Sequence, residues 1–157
     1  MADDINIDIK LTGFAEFDEL MTQLGNDFGY AESAKKVLVP AMRKAVQPIK
    51  DSILPLVPYD EKSKDYWHLR DSLIAYARQP KDTDKRSKYI HEDTAVVGIV
   101  SVKKNKVAIS QEFGNARVPA KPYLRNGLAR GSIKAINTFG KELGERIIKY
   151  RAKKSKG

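Results

Sequence analysis

Glu112 is the acid whose setting invites the most chemistry. It heads the stretch Glu112-Phe113-Gly114-Asn115-Ala116-Arg117-Val118-Pro119-Ala120-Lys121-Pro122-Tyr123-Leu124-Arg125. A carboxylate placed there can accept hydrogen bonds from the turn at Gly114–Arg117, or pair with Arg117 or Arg125, within one chain or across a subunit interface. The other reactive residue types are scattered. His91-Glu92-Asp93 offers three metal-binding side chains in a row. Consecutive residues of a strand or loop point in different directions, however, and no second cluster at ligand spacing completes a site. A solvated loop is the expectation. His68, beside Trp67, reads as a packing or hydrogen-bonding residue. Ser72 and Ser110 have no histidine close in sequence and no Gly-x-Ser-x-Gly setting. Gly25-Asn26-Asp27-Phe28-Gly29 lacks the Gly-Lys-Ser/Thr that completes a phosphate loop. There is no cysteine, hence no thiolate metal site and no disulfide framework. These residues predict no catalytic set, no metal and no cofactor.

The elements around Glu112 must therefore be read for shape. Gly114 and Asn115 tolerate positive φ and predict a tight turn. Pro119 and Pro122 keep the connector extended, because the residue before each proline is pushed out of the helical region. Pro122 also suits the first turn of a helix. Phe113 and Tyr123, at the two ends of the turn, are expected to clamp it onto the core. From Pro122 a helical pattern runs to about Tyr150, with Leu124, Leu128, Ile136, Phe139, Leu143, Ile147 and Tyr150 as its apolar stripe. Gly127, Gly131, Gly140 and Gly144 interrupt it at about 1 kcal/mol each relative to alanine. Close packing against the sheet or another helix is the expected reason.

Upstream, Ile5, Ile7, Ile9 and Leu11 alternate with polar residues as in a half-buried edge strand. Phe14, Phe17, Leu20, Met21 and Leu24 recur at helical spacing. A second helix is predicted from about Ala31 to Leu54, with Pro40 and Pro48 bending or interrupting it. Tyr59 to His68 reads as an exposed loop. A strand covers Leu73 to Arg78. Lys81 to Lys88 carries no apolar residue and reads as a mobile loop or an extended hairpin tip. Ala95 to Val102 is a β-branched strand. Val107-Ala108-Ile109 is compatible with a returning strand or a short helix ending at Phe113. The whole predicts an α+β fold, a small, mostly antiparallel sheet packed by a kinked helix and a long C-terminal helix. It forms one domain over 1–157, with flexible loops near 59–68 and 81–93 and a basic tail at 149–157.

Glu112, Phe113, Gly114 and Asn115, then Pro119, Pro122, Tyr123, Leu124 and Arg125, resemble the signature of a tailed-bacteriophage family. It is the minor tail or tail-completion family of the head–tail joint. Asn126-Gly127 stands where Pro-Ala is common in that family. Leu69-Arg70-Asp71-Ser72 resembles the element that leads into a strand there. The resemblance favours a short helix carrying Glu112. It implies a structural virion protein of the neck, assembled as a homo-oligomeric ring of six copies. Its implied partners are the tail tube and the head connector or stopper proteins, with phage DNA in the lumen contacted without sequence specificity. The implied location is the virion neck or tail, and the host cytoplasm during assembly.

Charge bears on those partners. The formal net charge of the 157-residue chain is +9. Asp3, Asp4 and Asp8 make the N-terminal end acidic, whereas Arg146, Lys149, Arg151, Lys153, Lys154 and Lys156 make the C-terminal end basic. Such asymmetry fits a polyanion nearby or head-to-tail contact between copies, and equally a solvated helix end with a frayed basic tail. Lys85, Arg86 and Lys88 on one loop, and Lys103, Lys104 and Lys106 at an expected hairpin, are candidates for phosphate contact. No recognition-helix or aromatic RNA-binding signature accompanies them, so a non-specific DNA-binding or regulatory module is the competing class. No apolar run reaches the ~20 residues of a membrane span, and no signal peptide is expected.

Overall fold

The computed structural model describes residues 22, 26, 32, 34–59, 69–92 and 94–156. The chain divides into two compact units, 1–33 and 34–157, and the second carries the bent helix, the sheet and the long C-terminal helix. The predicted strand at 5–11, the first helix at 14–24, and His68, Asp93 and Gly25–Gly29 lie outside the described residues or almost wholly so. The exposed loop expected at 59–68 is described only at Tyr59.

The kinked helix is present as a sequence of short segments. A π-helical turn at Ala34–Leu38 leads into α1 (Val39–Ala45), then α2 (Gln47–Ile53) and a 3-10 turn at Leu54–Leu56. Pro40 and Pro48 each fall in the first turn of an α segment. A proline there lacks only an N–H that the segment start does not need, so each marks a joint between segments. The backbone stays helical through Val46, whose amide bonds the Met42 carbonyl at 3.0 Å. Val57 is extended, as a residue before proline should be, and ends the run.

Strands β1 (Ile74–Arg78) and β2 (Val97–Ser101) pair antiparallel, Ile74 opposite Ser101 and Arg78 opposite Val97. In that register Ala75, Ala77, Gly98 and Val100 share a face, and Gly98 turns it toward α1. A methyl group built on Gly98 would overlap Val46 Cγ1 and lie 2.9 Å from Met42 Sδ.

The link between the strands, expected over Lys81–Lys88 as a mobile loop or an extended hairpin tip, is not extended throughout. Residues Asp82–Arg86 close into a 3-10 helix. The Asp84 carboxylate accepts from the Lys81 amide at 2.6 Å and forms a two-pronged ion pair with Arg78, the Nη2–Oδ1 arm at 3.0 Å. The Arg78 hydrogen bond, then the Lys81 amide, lowers the Asp84 carboxyl to about 2. A folded-state value below the ordinary one adds stability that is complete above the ordinary value and is lost as pH falls through the lower one. Replacing Asp84→Asn should therefore lower the denaturation midpoint near neutrality. The gap should narrow below pH 3.8 and close as pH falls through about 2. Chemical denaturation of both proteins between pH 7 and 2 measures it, and a gap unchanged at pH 2 contradicts the ion pair.

Downstream of β2 the residues at 106–113 form a helix, α3 (Lys106–Phe113). Asn105 is its N-cap and accepts from the Ala108 amide at 2.7 Å. The final helix, α4 (Tyr123–Ser155), runs 33 residues, so the basic segment from 149 is helical through Ser155. It packs along α1 and α2. Ile53, Val57, Leu69, Leu73, Ala108 and Tyr123 form a buried cluster, with Ile49, Val100 and Leu124 against it. Each large side chain buried there contributes roughly 1.5–3 kcal/mol. The α+β class and its long and bent helices agree with the sequence reading.

Candidate functional site: the joint between two helices

The site is built by the end of α3 and the start of α4. On α3, Ala108 and Glu112 stand one turn apart and both face inward. A helix start leaves its first amides without intrahelical partners. Here the residue before α4 is Pro122, which has no side chain able to cap them. Glu112 takes that role from ten residues upstream. Its carboxylate accepts from the Leu124 amide at 2.9 Å and, more weakly, from the Arg125 amide at 3.3 Å. The same carboxylate accepts from Arg125 Nε at 2.9 Å, while Arg125 Nη2 donates to the Glu112 carbonyl at 2.8 Å. A negative charge at the positive end of a 33-residue helix is also favourably placed. Glu112 is only 3% exposed, so these bonds are what make its burial tolerable.

Two further contacts lock the joint. Tyr123 is buried and its hydroxyl donates to the Ala108 carbonyl at 3.3 Å. Burial, and then the Glu112 charge, push the Tyr123 phenol above its ordinary value. The Lys121 amide donates to the Gln111 carbonyl at 2.7 Å.

The turn holds itself. Gly114 has φ +74°, and a methyl group there would come within 2.7 Å of the Ala120 nitrogen. The position therefore requires glycine. Asn115 contributes its side chain instead. Oδ1 accepts from the Arg117 and Val118 amides at 2.8 and 2.9 Å, and Nδ2 donates to Ser110 Oγ.

Several expectations are decided at this joint. Of the alternatives open to Glu112, the pair with Arg125 is the one that forms; its further bonds go to the start of α4, not to the turn at 114–117. The tight turn expected at Gly114-Asn115 forms, and among the described residues Gly114 alone uses positive φ for it. Tyr123 clamps onto the core, but Phe113 is 67% exposed. With Ala108 and Glu112 pointing inward, the next residue on the helix is rotated by ~100° away from them. The Arg125 guanidinium instead lies over the Phe113 ring at 5.2 Å.

The remaining candidates are dispersed. Ser72 Oγ donates to the Leu69 carbonyl and accepts from the Lys103 amide, which ties the start of β1 to the end of β2. His91 and Glu92 are exposed, and among the described residues no three metal-binding side chains converge. Lys85, Arg86 and Lys88 lie in the link between Arg78 and Val97, whereas Lys103, Lys104 and Lys106 follow Ser101. The two basic groups thus follow from opposite ends of the ladder, which are roughly 13 Å of strand apart. No described helix is long and apolar enough to cross a membrane. No protein-family model, curated protein or solved structure matches the chain.

Proposed function

We propose that the chain is a structural protein of the head–tail joint of a long-tailed phage, of the tail-completion or tail-terminator kind. It works by assembling into a closed ring of six copies that caps the tail tube and meets the head connector or stopper. The carrying observation is the joint itself. The residues that resemble the family signature are the same ones that tie α3 to α4, through Glu112, Tyr123 and Arg125. Such a joint fixes two helices at one angle, which is what a subunit needs when each copy must present the same two surfaces. A ring requires heterologous contacts, in which one face meets a different face of the next copy.

Particles made without the protein test the role. Tailless heads beside separate, complete tails are expected on electron micrographs; normally joined particles contradict it. The second reading is a DNA-binding module without sequence preference, favoured by exposed Lys85, Arg86, Lys88, Lys104 and Lys106. That the two basic groups follow from opposite ends of the ladder weighs against it. Tight, salt-dependent retardation of duplex DNA by the isolated monomer would favour that module over assembly.

A further inference from the structure

We infer that the groove beside Arg125 is a docking site for an acidic segment of a neighbouring protein, one carrying an aromatic or branched aliphatic side chain next to a carboxylate. The inference rests on the assembly reading above and names the chemistry of one of its contacts. The groove has a volume of about 320 Å³ and runs between α2, β2 and the first turns of α4. Its walls are apolar, with Ile49, Ile53, Val100, Leu124 and Leu128 among them. Arg125 is the single charged residue among the described ones that line it.

That arginine is preorganised. Nε and Nη2 are committed to Glu112, and the guanidinium plane rests over Phe113. Nη1 bonds no described residue, and the Arg125 side chain is 60% exposed. A guanidinium already fixed in position loses little freedom on pairing with a partner's carboxylate. Around it lie Leu128, 51% exposed, and Phe113, both open to solvent. An exposed aromatic ring, an arginine and an apolar recess are the side chains that dominate binding at protein interfaces. A chain of net charge +9 selects acidic partners, and the apolar walls suit a side chain rather than a phosphate.

The probe is N-acetyl-phenylalanine, which joins one aromatic ring to one carboxylate. N-acetyl-phenylalaninamide and inorganic phosphate are the controls, and amide shifts of the full chain in solution NMR are the readout. N-acetyl-phenylalanine should move the amides of Ile49, Ile53, Val100, Leu124 and Leu128. The uncharged amide should bind about five-fold more weakly, as one solvent-facing charge pair implies. Phosphate should move none of them. Leu128→Glu places a repelling charge at the half-exposed rim and should abolish the response while the amide spectrum away from the groove stays that of the folded chain. Equal binding of the uncharged probe, a response to phosphate alone, or no response overturns the inference. A hexameric ring whose groove ignores the probe removes this inference alone. A chain that never assembles removes the reading beneath it as well.

Discussion

Glu112→Ala should lower the unfolding free energy by about 3 kcal/mol, the largest loss expected from any single carboxylate among the described residues. The figure is that of the cap itself, two charge-assisted hydrogen bonds from the Leu124 and Arg125 amides at about 1.5 kcal/mol each. The Arg125 side chain adds little to it, because a guanidinium 60% exposed is screened by water. Two neighbouring substitutions separate these parts. Arg125→Ala removes the ion pair but leaves the amide bonds from Leu124 and Arg125, and should cost about 1 kcal/mol. Glu112→Gln keeps a carbonyl oxygen able to accept from the Leu124 amide, and should recover about half the loss. Urea denaturation of the three variants reads the ranking. Equal effects of Glu112→Ala and Arg125→Ala would mean that the ion pair, not the cap, holds the joint.

The glycines of α4 should divide into two pairs of opposite sign. A methyl group on Gly127 would overlap Ile53 Cγ1 and stand 2.7 Å from Ile53 Cα. On Gly131 it would stand 2.8 Å from Ile49 Cα and 3.0 Å from the Pro48 carbonyl oxygen. Apart from Ile53 Cγ1, those neighbours are backbone atoms of α2, which cannot rotate aside. Overpacking against them costs about 3 kcal/mol, and alanine regains about 1 kcal/mol of helix propensity, so each substitution should destabilise by about 2 kcal/mol. Nothing lies within 4 Å of a methyl group on Gly140 or Gly144. Gly140→Ala and Gly144→Ala should each stabilise by up to about 1 kcal/mol. Denaturation midpoints of the four single variants decide it. A neutral Gly127→Ala would mean that α2 and α4 lie further apart than these distances.

Those glycines also mark where pattern reading succeeds and where it stops. Close packing is the expected reason for all four, and it holds for Gly127 and Gly131 alone. The heavy apolar stripe expected on α4 begins at Leu124 and Leu128, yet Leu128 is largely exposed. Tyr123, Gly127, Gly131 and Ala135 are the buried row in the first half of the helix. Hydrophobicity marks the buried face of a helix when the neighbour is distant. Where two helix backbones approach closely, the buried row is small, and a hydrophobic pattern passes over it. Further along, Leu143 and Ile147 are buried as the pattern predicts.

The same limit applies to the site. Glu112 is legible as an acid with structural work to do, because a carboxylate beside a proline-bounded turn with Arg125 downstream has few other uses. Its partner amides are not, since capping from another helix leaves no local spacing to read. Phe113 misleads because aromatic residues near a turn are usually buried, and here Glu112 occupies the inward position. For α3, the signal is present in Asn105, a capping residue one position before Lys106. The bent helix is legible because proline acts through its own covalent geometry, which no tertiary contact can override.

The chain is proposed to be a subunit whose locked joint presents two different surfaces to copies of itself. Native mass spectrometry of the purified protein, taken over a concentration series, tests it most directly. The expected result is a closed species of six times the 17.6 kDa chain mass, with no larger open series. A monomer that persists at every concentration, or a ladder of oligomers that never closes, contradicts it.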